Sequence, residues 1–326
     1  MKALPPQLSC YRPSGAAPAA GILAILAGGI AAGIVLGAVY AFTNHHDPIL
    51  YLNIVLVFLF GWALGTIVSK GVRSFRIRSR AAAAIIGLAV FAAAYFSHWC
   101  VYIPTVLADY DKDISSYDVP VILEAAVELV QYPEEAWKWI RRLNERGVWT
   151  MTSPGSSTPG LEIKGMSLGL IWLAEAVILC YYSVKAPWNE AGKPYSERQG
   201  KWLDAKELPA RIAFIENEEE FLNALARSDY SALIAPLPEG EKSARHAKYA
   251  AVTLYSDSFE PYVTVKNVSI SGRQAKQAGG LGKKIISRLT ASPREETSAR
   301  DVVRYLKITP TTAQNISSAL GSYKAG

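Results

Sequence analysis

Glu175 is an acid set in an apolar run, Ile171-Trp172-Leu173-Ala174-Glu175-Ala176-Val177. Placing a comparable acid at the centre of a membrane helix costs roughly 2.5–3.5 kcal/mol, so such a carboxyl faces a bundle interior or a wet cavity. It is therefore either a functional acid or a neutral carboxyl that bonds one carbonyl or hydroxyl and fixes helix register. Histidines form the second group. His45 and His46, followed by Asp47, close one apolar run, and His98 stands near the same end of another. Imidazole with carboxylate suits zinc or another divalent transition metal, which needs three or four such ligands in a compact shell. These residues come from two separate places in the chain and not from a spaced motif; apart from this metal, no cofactor is expected. Asp109, Asp111 and Asp113 start like a calcium loop, but Ile114 and Pro120 stand where an EF-hand needs Gly and Glu.

Lys266, Arg273, Lys276, Lys283, Lys284 and Arg288 follow one another without an intervening acid and among glycines. A P-loop would need Gly at Gln277 and Ser or Thr at Lys284, so nucleotide binding is not implied. A basic segment of this kind gains roughly 1 kcal/mol per base against anionic lipid; otherwise it is a solvated loop. From Ser298 to Leu320 the apolar residues Val302, Val303, Leu306, Ala313, Ile316 and Leu320 follow a helix, turn, helix rhythm around Ile308-Thr309-Pro310. The second of these helices, Thr311–Ser318, contains no Arg or Lys, and phosphate contacts supply most non-specific DNA affinity. A packed helix pair is the expectation, and nucleic acid is not an expected partner.

The elements that position these groups start with four apolar runs, at 19–42, 49–68, 81–103 and 165–184. Each approaches or exceeds the roughly 20 residues that cross a hydrocarbon core about 30 Å thick. The connection between the second and third runs holds Lys70, Arg73, Arg76, Arg78 and Arg80 with no acid, which marks it as cytoplasmic. The interval 105–164 holds ten acids against six bases, which suits the opposite side. Both termini are thereby predicted inside. The formal net charge of +6 follows from bases gathered on the inner face and needs no nucleic acid. Cys10, Cys100 and Cys180 lie too far apart to imply a disulfide framework.

Gly29, Gly33, Gly37 and Ala41 repeat at every fourth position of the first run, with Gly21 in the same register across Ile25. Such a row lies on one helix face, where missing side chains let another helix approach closely. The partner is either another span of this chain or the same span of a second copy. Between the third and fourth runs, Val119–Tyr132 and the stretch opened by Pro133 read as two helices. Trp137, Ile140 and Leu143 are at helical spacing, between Lys138, Arg141 and Arg142. Trp137, Trp139 and Trp149 place this hairpin at the bilayer interface or, alternatively, as a cap on the bundle. Residues 152–160, rich in Ser, Pro and Gly, form a linker.

Beyond the fourth run, 185–210 is a juxtamembrane segment and 211–326 a small α/β or α+β domain. In it, Arg211–Ile215 and Ala232–Leu237 read as strands, Asn217 caps the helix that follows with Glu220 at the reciprocal position, and Tyr249–Tyr255 and Tyr262–Ile270 form a hairpin. The stretch Pro194-Tyr195-Ser196-Glu197-Arg198-Gln199-Gly200-Lys201-Trp202 resembles half of a zinc ribbon, P-Y-C-x-x-C-G-x-W, with Ser196 and Gln199 in place of the cysteines. In this it resembles uncharacterised bacterial multi-span inner-membrane proteins whose cytoplasmic part opens with a cysteine knuckle. The resemblance implies a retained turn without its ion.

The expectation is thus an α-helical membrane bundle: residues 1–104 with three spans, 105–164 outside, a fourth span at 165–184, and the domain inside. It is read as an anchor or interaction subunit of a bacterial inner membrane, in contact with the bilayer and with a second copy or other membrane subunits. The alternatives are a transporter or metal-dependent enzyme using Glu175 and the outer histidines, and a tethered DNA-binding regulator.

Overall fold

The computed structural model describes residues 5, 8–46, 50–110, 115–151, 161–237, 248–256, 259–272 and 295–321. The chain divides into two compact units, residues 13–193 and residues 1–12 with 194–326.

The first unit is built on four helices long and apolar enough to cross a membrane: α1 (Ala19–His46), α2 (Leu50–Ser74), α3 (Arg80–Ala108) and α6 (Met166–Ala191). Each extends past its apolar run, because a charged or polar residue ends hydrocarbon compatibility without ending a helix. Their outward faces carry large apolar side chains, among them Leu23, Val35, Leu59, Ile85 and Val177, while Tyr40, Asn53, His98 and Glu175 are buried between them.

Glycines decide which helices touch. Gly29 and Gly33 of α1 lie against Val90 and Ala94 of α3, and a Cβ on Gly37 would overlap the Ala94 carbonyl oxygen. Gly61 and Gly65 perform the same service for α2 against Tyr182 of α6. Gly87 of α3 meets the Ser183 carbonyl oxygen, which Pro187, four residues on, deprives of its helical donor. A Cα–H of Gly87 aimed at that oxygen is the contact this approach allows. Gly21, from the same row, packs on Phe75 instead.

The turn from α2 to α3 carries the basic loop. Arg76 adopts a left-handed φ of 54°, Arg76 N–H donates to the Arg73 carbonyl at 3.3 Å and Ile77 N–H to Val72 at 2.9 Å. This pattern, with Val72 and Ile77 both buried in the bundle core, terminates a helix by satisfying its last carbonyls. Ser79 then caps α3 by accepting the Ala82 N–H at 3.2 Å. Between α3 and α6 stand the two expected helices, α4 (Val119–Gln131) and α5 (Pro133–Arg146), and a two-stranded ribbon, β1 (Trp149–Met151) with β2 (Leu161–Ile163). Residues 152–160, read above as a linker, lie outside the described residues.

The second unit opens with a hairpin of β3 (Tyr195–Ser196) and β4 (Lys201–Trp202). Its main sheet is antiparallel, in the order β5 (Ala205–Glu207), β7 (Lys248–Tyr255), β8 (Tyr262–Gly272), β9 (Glu295–Lys307), with β6 (Ile212–Ala213) also on β7. Helices α7 (Glu218–Ala226), α8 (Ser231–Ile234) and α9 (Pro310–Gly321) contribute Phe221, Leu233 and Ile316 to one core with Val252, Val265 and Leu306 of the sheet. Asn217 accepts the Glu220 N–H at 3.2 Å, as the cap requires. Residues up to Arg12 belong to this unit: Cys10 bridges to Leu306, Tyr11 N–H donates to the Tyr305 carbonyl at 2.9 Å, and Lys307 N–H to Ser9 at 2.8 Å.

Two sequence expectations fail here. Ser298–Lys307 is strand, not helix, and two irregularities in its pairing with β8 explain the deceptive spacing. Val263 pairs with Leu306, Val265 with Val303 and Lys266 with Asp301, so β9 has one residue more than β8 on two occasions. Each bulge shifts the alternation by one position. Val302, Val303 and Leu306 therefore all reach the core at a spacing that mimics a helix. Tyr305 sits at one bulge with a left-handed φ of 56° and donates its N–H to the Thr264 hydroxyl at 3.1 Å. Likewise the first half of Ala232–Leu237 is the short α8, with only a bridge from Pro236 to Ile212 after it, since Asp229 accepts the Ser231 N–H and starts a helical turn.

Candidate functional site

Each of the four long helices of the first unit contributes one polar side chain to a single buried cluster. Glu175 of α6 is 6% exposed and His98 of α3 is 2% exposed. Tyr40 of α1 and Asn53 of α2 complete the set, and Tyr40 is its hub. Its hydroxyl bonds the Glu175 carboxyl and lies 3.5 Å from Asn53 Oδ1. Its ring stacks on Phe60 at 4.7 Å and tilts onto His98 at 4.9 Å between centroids.

The glycine seam is what brings them together. Tyr40 is one turn beyond Gly37, whose Cα rests against the Ala94 carbonyl and the His98 backbone. His98 in turn is one member of a stacked row along α3, Phe91, Tyr95, His98 and Tyr102, with centroids 5.4–5.9 Å apart. Tyr95 hydroxyl donates to the Trp172 carbonyl at 3.3 Å, which fixes α6 one turn before Glu175.

Hydrogen-bond accounting limits the protonation pattern. Tyr40 has one proton and two acceptors in reach. A protonated Glu175 donates to the Tyr40 oxygen and lets Tyr40 donate onward to Asn53, so all three groups are used. An ionised Glu175 takes the Tyr40 proton and deprives Asn53 Oδ1 of its donor. Buried acceptors without partners cost roughly 1–3 kcal/mol, so the neutral carboxyl satisfies the cluster better. Among the described residues, His98 Nδ1 is buried with no hydrogen-bond partner.

Of the metal-ligand candidates, His45 and His46 take partners other than His98. His45 and His46 belong to the last turn of α1 and not to a loop. His45 Nε2 is 3.0 Å from Asp109 Oδ2, and His46 Nδ1 is 2.8 Å from the Phe42 carbonyl, with its ring on Tyr117. His98 instead faces Tyr40, because α3 runs on for ten residues beyond it, about 15 Å. That places it well inside the helix and not near its end. Asp47, Asp111 and Asp113 lie outside the described residues. Among the described residues, no three His, Cys, Asp or Glu side chains are disposed to hold a metal ion.

Of the basic segment, Lys266 is exposed on β8, 4.0 Å from Asp301; Arg273, Lys276, Lys283, Lys284 and Arg288 lie outside the described residues. In the β3–β4 hairpin, Ser196 is fully buried and its Oγ accepts the Gln199 N–H at 3.3 Å. Gly200 N–H closes the turn on the Ser196 carbonyl at 2.8 Å with φ of 65°. Sequence reasoning missed Tyr40 and Asn53, although each is a polar side chain in an otherwise apolar run. It also missed Gly61-x-x-x-Gly65, the same spacing it recognised in α1.

Comparison with protein-family models, with curated proteins and with solved structures finds no match to this chain.

Proposed function

We propose that the chain is a four-span protein of a bacterial inner membrane that anchors a cytoplasmic α+β domain and presents it to a partner. The observation that carries this is the pairing of Ser9–Tyr11, before the first span, with β9, which follows the fourth. One sheet includes chain from both ends of the bundle, which supports both ends emerging on one membrane face. An even number of spans requires the same. The basic loop at Lys70–Arg80 assigns that face to the cytoplasm. Apolar outward faces, with the polar Asn53, His98 and Glu175 kept inside, support the bilayer as the surrounding solvent.

The β3–β4 turn is the counterpart of a knuckle whose first cysteine is replaced, with the Ser196 hydroxyl accepting the amide that a thiolate would. Nucleic-acid binding loses its sequence basis, since the first helix of the supposed pair is a strand. A second reading, a bundle that uses Glu175 chemically, is favoured by one observation: the unpartnered His98 Nδ1 beside Tyr40.

Substituted cysteines in a cysteine-free background test the topology. Glu134→Cys on α5 reacts with a membrane-impermeant thiol reagent in intact spheroplasts, and Lys201→Cys reacts only after lysis. The opposite pattern, or reaction of both in intact cells, overturns the reading.

A further inference from the structure

A cavity of about 560 Å³ opens between α3, α5 and α6, within the range of small-molecule sites. Trp99, Trp172, Ile140 and Leu173 give it apolar walls, and Ala176 lines its far end. Three polar residues of α5, Arg141, Asn144 and Glu145, also line it, beside the exposed Trp137 and Leu173. Asn144 Nδ2 donates to the Gly165 carbonyl at 2.9 Å and the Gly165 N–H donates back to the Asn144 carbonyl at 2.8 Å, so this side of α5 is pinned to the start of α6.

Depth follows from helix geometry. The lining residues of α6 run from Gly169 to Ala176, three to ten residues past Met166, or about 5–15 Å along the helix. The cavity therefore leads from the membrane surface towards its middle, half of a core about 30 Å thick. Arg141 and Glu145 are one turn apart, and neither forms an ion pair with another described residue. A cation and an anion at that separation complement the phosphate and ammonium of a zwitterionic head group.

We propose that this cavity binds one phospholipid with an amine-bearing head group. Arg141 takes the phosphate, Glu145 the ammonium, and one acyl chain lies along Trp172, Leu173 and Ala176. This site rests on the four-span reading above.

Native mass spectrometry of the full chain in non-ionic detergent tests it, with phosphatidylethanolamine and phosphatidylglycerol of identical chains as probes. The wild type retains one phosphatidylethanolamine per chain, about fivefold in preference, as expected for an exposed charge pair. Arg141→Ala lowers retention of both lipids several-fold, and Glu145→Gln removes the preference while leaving phosphatidylglycerol unchanged. Gly169→Leu, which fills the cavity, lowers both with an unaltered circular dichroism spectrum. Equal retention of the two lipids by wild type, or Arg141→Ala binding as wild type, overturns the lipid site alone. Release of the chain from membranes by alkaline carbonate without detergent overturns the four-span reading and the site with it.

Discussion

At the scale of single residues, Tyr40 explains why an acid is tolerated inside the bundle. Its hydroxyl bonds the Glu175 carboxyl and reaches Asn53, so three polar groups meet in apolar surroundings. Glutamine keeps a donor where the protonated carboxyl has one. Glu175→Gln is therefore expected to change the thermal stability of the detergent-solubilised protein by less than about 1 kcal/mol. Glu175→Leu leaves the buried Tyr40 oxygen without its donor and is expected to cost about 1–3 kcal/mol, with lower membrane abundance. If the two variants lose equal stability, the proton assignment is wrong. If Glu175→Gln is stable but cells lacking the wild type are not rescued by it, the chemical reading of Glu175 gains over the anchoring one.

Among elements, close approach of helices is the recurring device, and the backbone is the surface that packs. Gly37 meets a carbonyl oxygen of α3, whereas Gly28, on the other side of α1, has nothing within 4 Å of where a Cβ would stand. Gly37→Val is expected to destabilise the bundle by about 1–3 kcal/mol, as overpacking does, while Gly28→Val stays within about 0.5 kcal/mol. Unfolding in mixed micelles measures the difference, and equal effects would show that α1 does not seat on α3 through this row. Arg76 offers the reverse case. Its left-handed φ of 54° favours glycine, so Arg76→Gly is expected to raise stability by up to about 1 kcal/mol, read in the same assay.

For the molecule as a whole, the segment ahead of α1 ties the start of the chain into the sheet at its end. Tyr11→Pro removes the N–H that bonds the Tyr305 carbonyl, and a ladder bond lost at a sheet edge frees the strand. Limited proteolysis of the purified protein is then expected to cut near Ser9–Arg12 several-fold faster, with α1–α3 and α6 unaffected. Unchanged cleavage would mean that Cys10 and Leu8, packed on the core, hold the segment without that bond.

Four long helices, the hairpin of α4 and α5, the Asn217 cap and the β7–β8 pair were all legible in the sequence, because each depends on local periodicity or a local hydrogen bond. Glu175 also stood out by composition alone. What Glu175 touches did not, since Tyr40, Asn53 and His98 lie far from it in the chain and meet only where glycine rows set helix against helix. β9 was misread for a related reason: its bulges exist only in register with β8, and without that partner its apolar spacing looks helical. The pairing of Ser9–Tyr11 with β9 joins residues nearly 300 positions apart, and no local pattern encodes such a contact. The sequence by itself determined the elements and their apolar faces; only tertiary packing decided which polar groups share an interior.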